Sequence, residues 1–366
     1  MTKRVLAAAA AAVVAMTPAA CGGGEQVDTK GALVIDKVEI ADEKLWQAAQ
    51  KEGTLTLYTA LGEERENALL EVFKEQTGLD INVVRLPGSS LYERIQSEHG
   101  ADKLGADVIR QTDIALALDE RKEGVFQKYC PPNFDQLDKN LKQKDCSFYA
   151  SQTPIYSLGY NHEQIPKEKA PKTWKELLEP QWKGKLGLAH VGAGGSTWAR
   201  DLFLRQKYGV EYWKKLAAMK PQIASGAEGV TAEMARGEIQ LGMVLPGNQS
   251  LVASDGAPLS VTIPKDGVPS YGQWFGMADK AEHPAAAKVF INWQMSMPGQ
   301  KSVAHEGGDY PVIDGAPGPD FNGKELPKRE DIELVQMETD PQYLAKREAY
   351  MKEWFQIFNY TPSDTE

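Results

Sequence analysis

Between residues 53 and 122 the hydrophobic and polar positions follow two alternating periods. "GTLTLYTA" (53–60) alternates every second residue and predicts a strand. "EERENALLEVFKEQTG" then places Leu69, Leu70 and Phe73 at helical spacing and stops at Gly78, and "LDINVVRL" returns to strand. A helix from Ser90 to His99, the apolar run "ADVIRQ" and a helix through "DIALALDERKEG" complete a β-α-β-α-β-α order. That order predicts an α/β fold with a mostly parallel sheet covered on both faces.

The middle of the chain is less regular. "IYSLGYN" (155–161) predicts a strand leaving the first unit, and "PKTWKELLEPQWKGKLGLA" a helix, a turn and a strand. Helices open at "STWARDLFLRQKYG" and "EYWKKLAAMK", and "EGVTAEMARGEIQLGMVL" gives a helix, a stop at Gly237 and a strand. "APLSVTIPKDG" is a further strand and "SYGQWFGMADKA" one that returns to the first unit. A helix is expected from near Pro284 to near Pro298, and residues 330–358 are expected to be mostly helical, docked by Trp354, Phe355 and Phe358. A chain of 366 residues exceeds what one core organises. The expected division is lobe 1 at 45–154 and 276–307, lobe 2 at 155–275, and a C-terminal helical segment at 308–366.

The first residues change the picture. Lys3 and Arg4, the apolar stretch Val5 to Met16 and the small residues Pro18-Ala19-Ala20 read as a secretory signal peptide over 1–20. A small residue directly before Cys21 resembles the bacterial lipobox, which implies acylation of Cys21 and anchoring to the cell membrane, with 21–44 as a tether. Loss of the signal removes two positive charges and takes the formal charge from -10 to -12, so nucleic acid and anionic lipid are poor partners for the body. With Cys21 acylated, Cys130 and Cys146 remain as an even pair in an oxidising compartment and are expected to form a structural disulfide.

The stretches "LTLYTALGEERENALLEVFKEQTGLDINVV", "ADVIRQTDIALALDERKEG", "MARGEIQLGMVL" and "MADKAEHPAAAKVFINWQMS", with P-x-x-W-x-x-L and P-x-W-K-G-K at 171–185, resemble the extracellular solute-binding proteins of family 1. Within them the order resembles the ferric-iron, thiamine and phosphonate branch that feeds ABC importers. The resemblance implies a bilobal periplasmic-binding fold of type II, two α/β lobes joined by crossover strands, with the solute held between them. It also implies a monomer that hands the solute to permease subunits, without catalysis and without a cofactor.

In open α/β sheets ligands sit beyond the carboxyl ends of the strands. That rule selects Thr59, Ala60 and Leu61, then Ser89 and Ser90, then Arg110, Gln111 and Thr112, in the first lobe. In the second lobe it selects Gly195, Ser196 and Thr197 from "VGAGGST", and Asn248 and Gln249 from "PGNQS". "GGST" and "PGSS" each precede a helix, where N-H groups and hydroxyls suit an oxyanion, although the same residues also serve as plain N-caps. Arg110 is a candidate to neutralise the ligand, or else pairs with a carboxylate such as Asp113. Tyr271 and Trp274, near a crossover, are candidates to stack on an organic group, or else belong to the core.

Ferric-binding relatives carry adjacent tyrosines where "PGNQS" stands here. His99, His162, His190, His283 and His305 are scattered, so no metal site is expected. The favoured ligand is a small organic anion, a carboxylate or phosphonate, including one that bears an aromatic or amine group. Iron, thiamine and polyamine remain alternatives within the fold. An anchored hydrolase is the alternative of another class, but G-x-S-x-G, S-x-x-K and H-E-x-x-H are all missing from the sequence.

Overall fold

The computed structural model describes residues 30–361; the signal segment, Cys21 and the start of the tether lie outside them. The chain enters as a hairpin of β1 (Leu33–Ile35) and β2 (Val38–Ala41). Asp36 and Lys37 make the two-residue turn, both at positive φ, as the twist of a tight hairpin requires. Leu33, Ile35, Ile40 and Ala41 are buried, and the Asn292 side chain donates to the Ile40 carbonyl at 2.9 Å. The expected tether therefore gives way at Leu33 to a packed part of the first lobe, because the alternating Leu33, Ile35 and Ile40 form an apolar face.

Helix α1 (Glu43–Glu52) leads into β3 (Thr54–Thr59), α2 (Glu63–Thr77), β4 (Asp80–Arg85), α3 (Gly88–Gly100), β5 (Val108–Gln111) and α4 (Ile114–Lys122). Strand β6 (Tyr149–Gln152) closes this stretch. Cys130 and Cys146 are joined in the loop before it, with Cα atoms 5.0 Å apart. The second sheet takes β7 (Ser157–Asn161), β8 (Leu186–Ala189), β9 (Gln222–Ala224), β10 (Leu241–Val244) and β11 (Leu259–Thr262). Its helices are α5 (Gly195–Tyr208), α6 (Val210–Ala218), α7 (Ala227–Ala235) and α8 (Pro246–Ser254). After β12 (Val268–Ser270), β13 (Gln273–Met277) returns to the first sheet, followed by α9 (Pro284–Met295) and α10 (Met297–His305).

Two five-stranded sheets result, ordered β4-β3-β5-β13-β6 and β11-β7-β10-β8-β9. In the first, β4, β3 and β5 run parallel and β13 antiparallel; in the second, β9, β8 and β10 run parallel and β7 antiparallel. The chain crosses between lobes twice, from β6 to β7 and from β12 to β13. This is the bilobal periplasmic-binding architecture.

Two local expectations differ. Residues 174–178 and 180–182 form 3-10 turns and not an α-helix, because Pro180 forces Glu179 into extended backbone. The helix expected from near Pro284 to near Pro298 is α9, and a further helix, α10, follows it with Pro298 in its first turn. The tail is only partly helical. It contains β14 (Asp320–Phe321), β15 (Lys324–Glu325) and β16 (Leu334–Gln336), which pairs parallel with β12, before α11 (Gln342–Ala345) and α12 (Arg347–Phe358). Trp354 is fully buried, whereas Phe355 and Phe358 are half-buried around it.

Candidate functional site

The parallel strands of each lobe, β3, β4 and β5 and then β8, β9 and β10, all end at one cleft of about 440 Å³ between the lobes. A larger groove, about 820 Å³, runs along α12, but it is lined by the end of the chain alone. The interlobe cleft is where loops from both lobes converge, and its volume lies within the ~300–1,000 Å³ usual for small-molecule sites.

The first-lobe wall holds Ala60, Leu61 and Gly62 after β3, Arg65 on α2, Arg85 at the end of β4, Pro87, Gly88 and Ser89 at the start of α3, and Thr112, Asp113 and Leu116 beyond β5. The second-lobe wall holds Gly192 to Thr197, then Gly226, Ala227 and Glu228, and Leu245. Tyr271 and Gln273 at the crossover, and Arg347 from α12, complete it.

Helix starts dominate both walls. Gly62, Pro87 and Gly226 are the N-caps of α2, α3 and α7, and none supplies a side-chain acceptor to the first turn. Helix α1, away from the cleft, is by contrast capped by Asp42. The first N-H groups of an α-helix have no partner within it, so glycine or proline caps leave donors and the positive helix end facing the cavity.

The expected site residues separate into two groups. Ala60, Leu61, Ser89, Thr112, Gly195, Ser196, Thr197 and Tyr271 line this cleft, so Ser89 and Ser196 face the same space from opposite lobes. Thr197 contributes backbone only, since its buried hydroxyl accepts from Gly194 N at 3.1 Å and points back to the Val191 and Gly194 carbonyls. The Ser196 hydroxyl faces those of Tyr156 and Tyr271. Burial pushes both phenols up, Tyr156 to about 12, and Ser196 partly offsets this.

The other candidates lie behind or beside the walls. Thr59 is buried and donates to Glu66 at 2.5 Å. Ser90 is exposed on the next face of α3. Arg110 is fully buried and pairs with Glu66 at 3.1 Å, not with Asp113, and its other end donates to Gln294 at 3.1 Å. Gln111 donates to Glu120 at 2.5 Å, a carboxyl that burial pushes up to about 8. Gln249 is buried against β7 and meets the Met234 sulfur at 3.3 Å. Trp274 is buried with its N-H on Glu338 at 2.7 Å; burial holds that carboxyl at about 8. Asn248 sits in a neighbouring groove, where it bridges Arg65 (3.4 Å) and Glu228 (3.2 Å).

Sequence reasoning missed the charges. Arg65 pairs with buried Asp309, donates to the Gly307 carbonyl at 3.0 Å and reaches Asn248 across the lobes. Burial pushes the Asp309 carboxyl up, and Arg65 opposes that shift. Arg347 pairs with Asp113 at 2.6 Å. Arg85 donates to the Leu61 carbonyl at 3.2 Å and, among the described residues, meets no carboxylate. Arg65 and Arg85 stand one turn into a helix and at a strand end, positions that the strand-end rule reaches only when widened by a few residues. Gly226, Ala227 and Glu228, the cap and first residues of α7 after β9, fall under the same rule but follow a short, weakly patterned strand.

The lobes touch beside the cleft. A Cβ on Gly195 would lie 2.6 Å from the Thr112 carbonyl, and one on Gly247 would lie 2.8 Å from the Gly307 carbonyl. Glycine at these positions permits the closed approach seen here.

The profile of the bacterial extracellular solute-binding proteins matches residues 68–330. Among relatives, iron uptake protein A1 of Synechocystis is 24% identical over 290 residues, covering 72% of this chain and 77% of that protein. A probable ABC transporter periplasmic-binding protein of Sinorhizobium fredii is 26% identical over 271 residues, covering 71% and 74%. In structure, the periplasmic binding protein AfuA of Actinobacillus pleuropneumoniae, with fructose-6-phosphate bound, superposes at a TM-score of 0.66 and 19% identity over 84% of this chain and 99% of its own. With the profile spanning most of the chain and the two-lobed architecture beneath it, this protein belongs to the bacterial extracellular solute-binding protein family.

Proposed function

We propose that the chain is the substrate-binding lipoprotein of an ABC importer, held to the cell membrane through Cys21, which captures a small organic anion between its lobes and presents it to a permease. The ligand class is a carboxylate, phosphonate or phosphate ester. The observation that carries this reading is the set of helix starts without side-chain caps, α2 and α3 from one lobe and α7 from the other, opening into one cleft beside Arg85. Backbone donors from both sides favour a ligand whose negative oxygens face both lobes, and such a ligand draws the lobes together. The fructose-6-phosphate held by AfuA is a ligand of this class.

The name of the Synechocystis relative raises ferric iron. A hard cation asks for several anionic oxygens. Of the wall's carboxylates, Asp113 is engaged by Arg347 and Glu228 by Asn248. Burial pushes the Tyr271 phenol well up, which opposes a phenolate. Among the described residues no group of three or more His, Cys, Asp or Glu side chains is placed to hold a metal ion. The same lack of free carboxylates disfavours a polyamine.

A thermal-shift series tests the reading. An organic anion present at about one hundred times its Kd stabilises by about 2.7 kcal/mol. Carboxylates, phosphonates and sugar phosphates are expected to include the compounds that raise Tm. A shift produced only by ferric complexes, thiamine or polyamines contradicts the proposal, and hydrolysis of an ester without any shift returns the enzyme alternative.

A further inference from the structure

We propose that the C-terminal arm, residues 334–358, is part of the binding site: Arg347 contacts the bound anion, and Asp113 of the first lobe positions it. The inference rests on the anion reading above. The arm lies beyond residues 68–330, the span matched by the family profile. It is fixed to the crossover and to the second lobe. At the crossover, β16 pairs with β12, and Glu338 accepts from Gly272 N at 2.6 Å and from the Trp274 side chain at 2.7 Å. On the second lobe, the Trp198 side chain donates to the Tyr343 carbonyl at 2.9 Å, the Tyr343 hydroxyl donates to the Gly195 carbonyl at 3.2 Å, and Arg205 pairs with Glu353 at 3.1 Å. Trp198 and Arg205 both belong to α5, so α11 and α12 travel with that lobe.

From this mounting Arg347 reaches across to Asp113, the N-cap of α4 in the first lobe. Asp113 divides its oxygens, Oδ1 accepting from Ala115 N at 3.0 Å and Oδ2 meeting Arg347 Nη1 at 2.6 Å. The pair therefore joins the arm, mounted on the second lobe at Trp198 and Arg205, to the first lobe beside the cleft. A guanidinium carries five N-H donors in a rigid fork. The contact with Asp113 engages Nη1, and among the described residues the remaining donors meet no acceptor although the side chain lines the cleft. An anion in the cleft finds a cation there that is already oriented and still has donors free for two parallel bonds.

Isothermal titration of the full chain with fructose 6-phosphate and with phenylphosphonate tests this. Arg347→Ala is expected to weaken whichever of the two the wild type binds by about 10- to 100-fold. Arg347→Lys is expected to recover part of the loss, and Asp113→Asn, which keeps the cap oxygen but not the charge, to show a smaller loss. Neutral fructose should bind all four proteins alike, which separates loss of the anion contact from a general loosening of the cleft. Unchanged affinity in Arg347→Ala overturns the role of the arm and leaves the anion reading standing. Failure of the wild type to bind either probe defeats this contact as stated, and if the wider anion series also fails to raise Tm, the anion reading falls as well. If Arg347→Ala does not fold, the Lys and Asn variants decide by the same comparison.

Discussion

The first lobe meets the cleft with charged side chains braced from behind, whereas the second lobe meets it with glycine-rich backbone. Arg65 is held by Asp309, which is itself held by Gln152 at 2.8 Å, and Arg110 lies deeper on Glu66. Opposite them, Gly192, Gly194, Gly195 and Gly226 expose main chain, and Glu228 is the charged residue that this lobe's own loops bring to the wall. The contrast separates two requirements of a closing cleft. Buried ion pairs hold one wall in a fixed shape, because breaking them strands a charge. Bare backbone lets the other wall come close and offers N-H groups at short range.

The largest effect should come from the braced wall. Asp309→Ala leaves Arg65 buried without its partner and is expected to cost about 3–5 kcal/mol in denaturant unfolding. A cost under about 1 kcal/mol would mean that the brace is ornamental and the walls are alike.

Next is the pH dependence of the same lobe. Burial holds Glu120 at about 8, above its ordinary value, with the Gln111 bond opposing the shift. A carboxyl raised on folding contributes stability that is complete below its unfolded pKa and is lost as pH rises through the folded one. Between pH 6 and 7.5, where it is protonated only in the folded chain, stability should fall by about 2 kcal/mol through this group. Glu120→Gln should flatten that part of the slope. An unchanged slope in the variant would remove Glu120 from the account.

The smallest effect belongs to the backbone wall. Gly195→Val places carbon where the Thr112 carbonyl stands in the closed form, so the lobes must stay further apart. Affinity for the organic anion should drop by about tenfold, or 1.4 kcal/mol, while the unliganded Tm moves little. If stability falls and affinity does not, the glycine serves packing and not closure.

Much of this architecture was legible because it is written in short-range periodicity. The alternation in β3 and the helical spacing of Leu69, Leu70 and Phe73 fix elements within a few residues, and parallel strand ends then point to the cleft. The cleft lining was legible where backbone makes it, at Ala60, Ser89, Gly195 and Ser196, and was misread where side-chain direction decides. Gln273 lines the cleft while the adjacent Trp274 turns into the core, as successive residues of a strand must. Gln249 follows Asn248 on α8, yet a rotation of about 100° per residue carries it under β7. Arg65 meets Asn248 and Gly307 across separations of 183 and 242 residues, and Arg347 reaches Asp113 from the tail. No local pattern encodes such encounters.

The central claim is that backbone amides of both lobes grip one anion. Amide chemical shifts followed while fructose 6-phosphate or phenylphosphonate is titrated in test it most directly. The account predicts that Gly88 and Ser89 in the first lobe, and Gly195, Ser196 and Ala227 in the second, shift together along one binding isotherm. Shifts confined to a single lobe, or to residues outside the cleft, would contradict it.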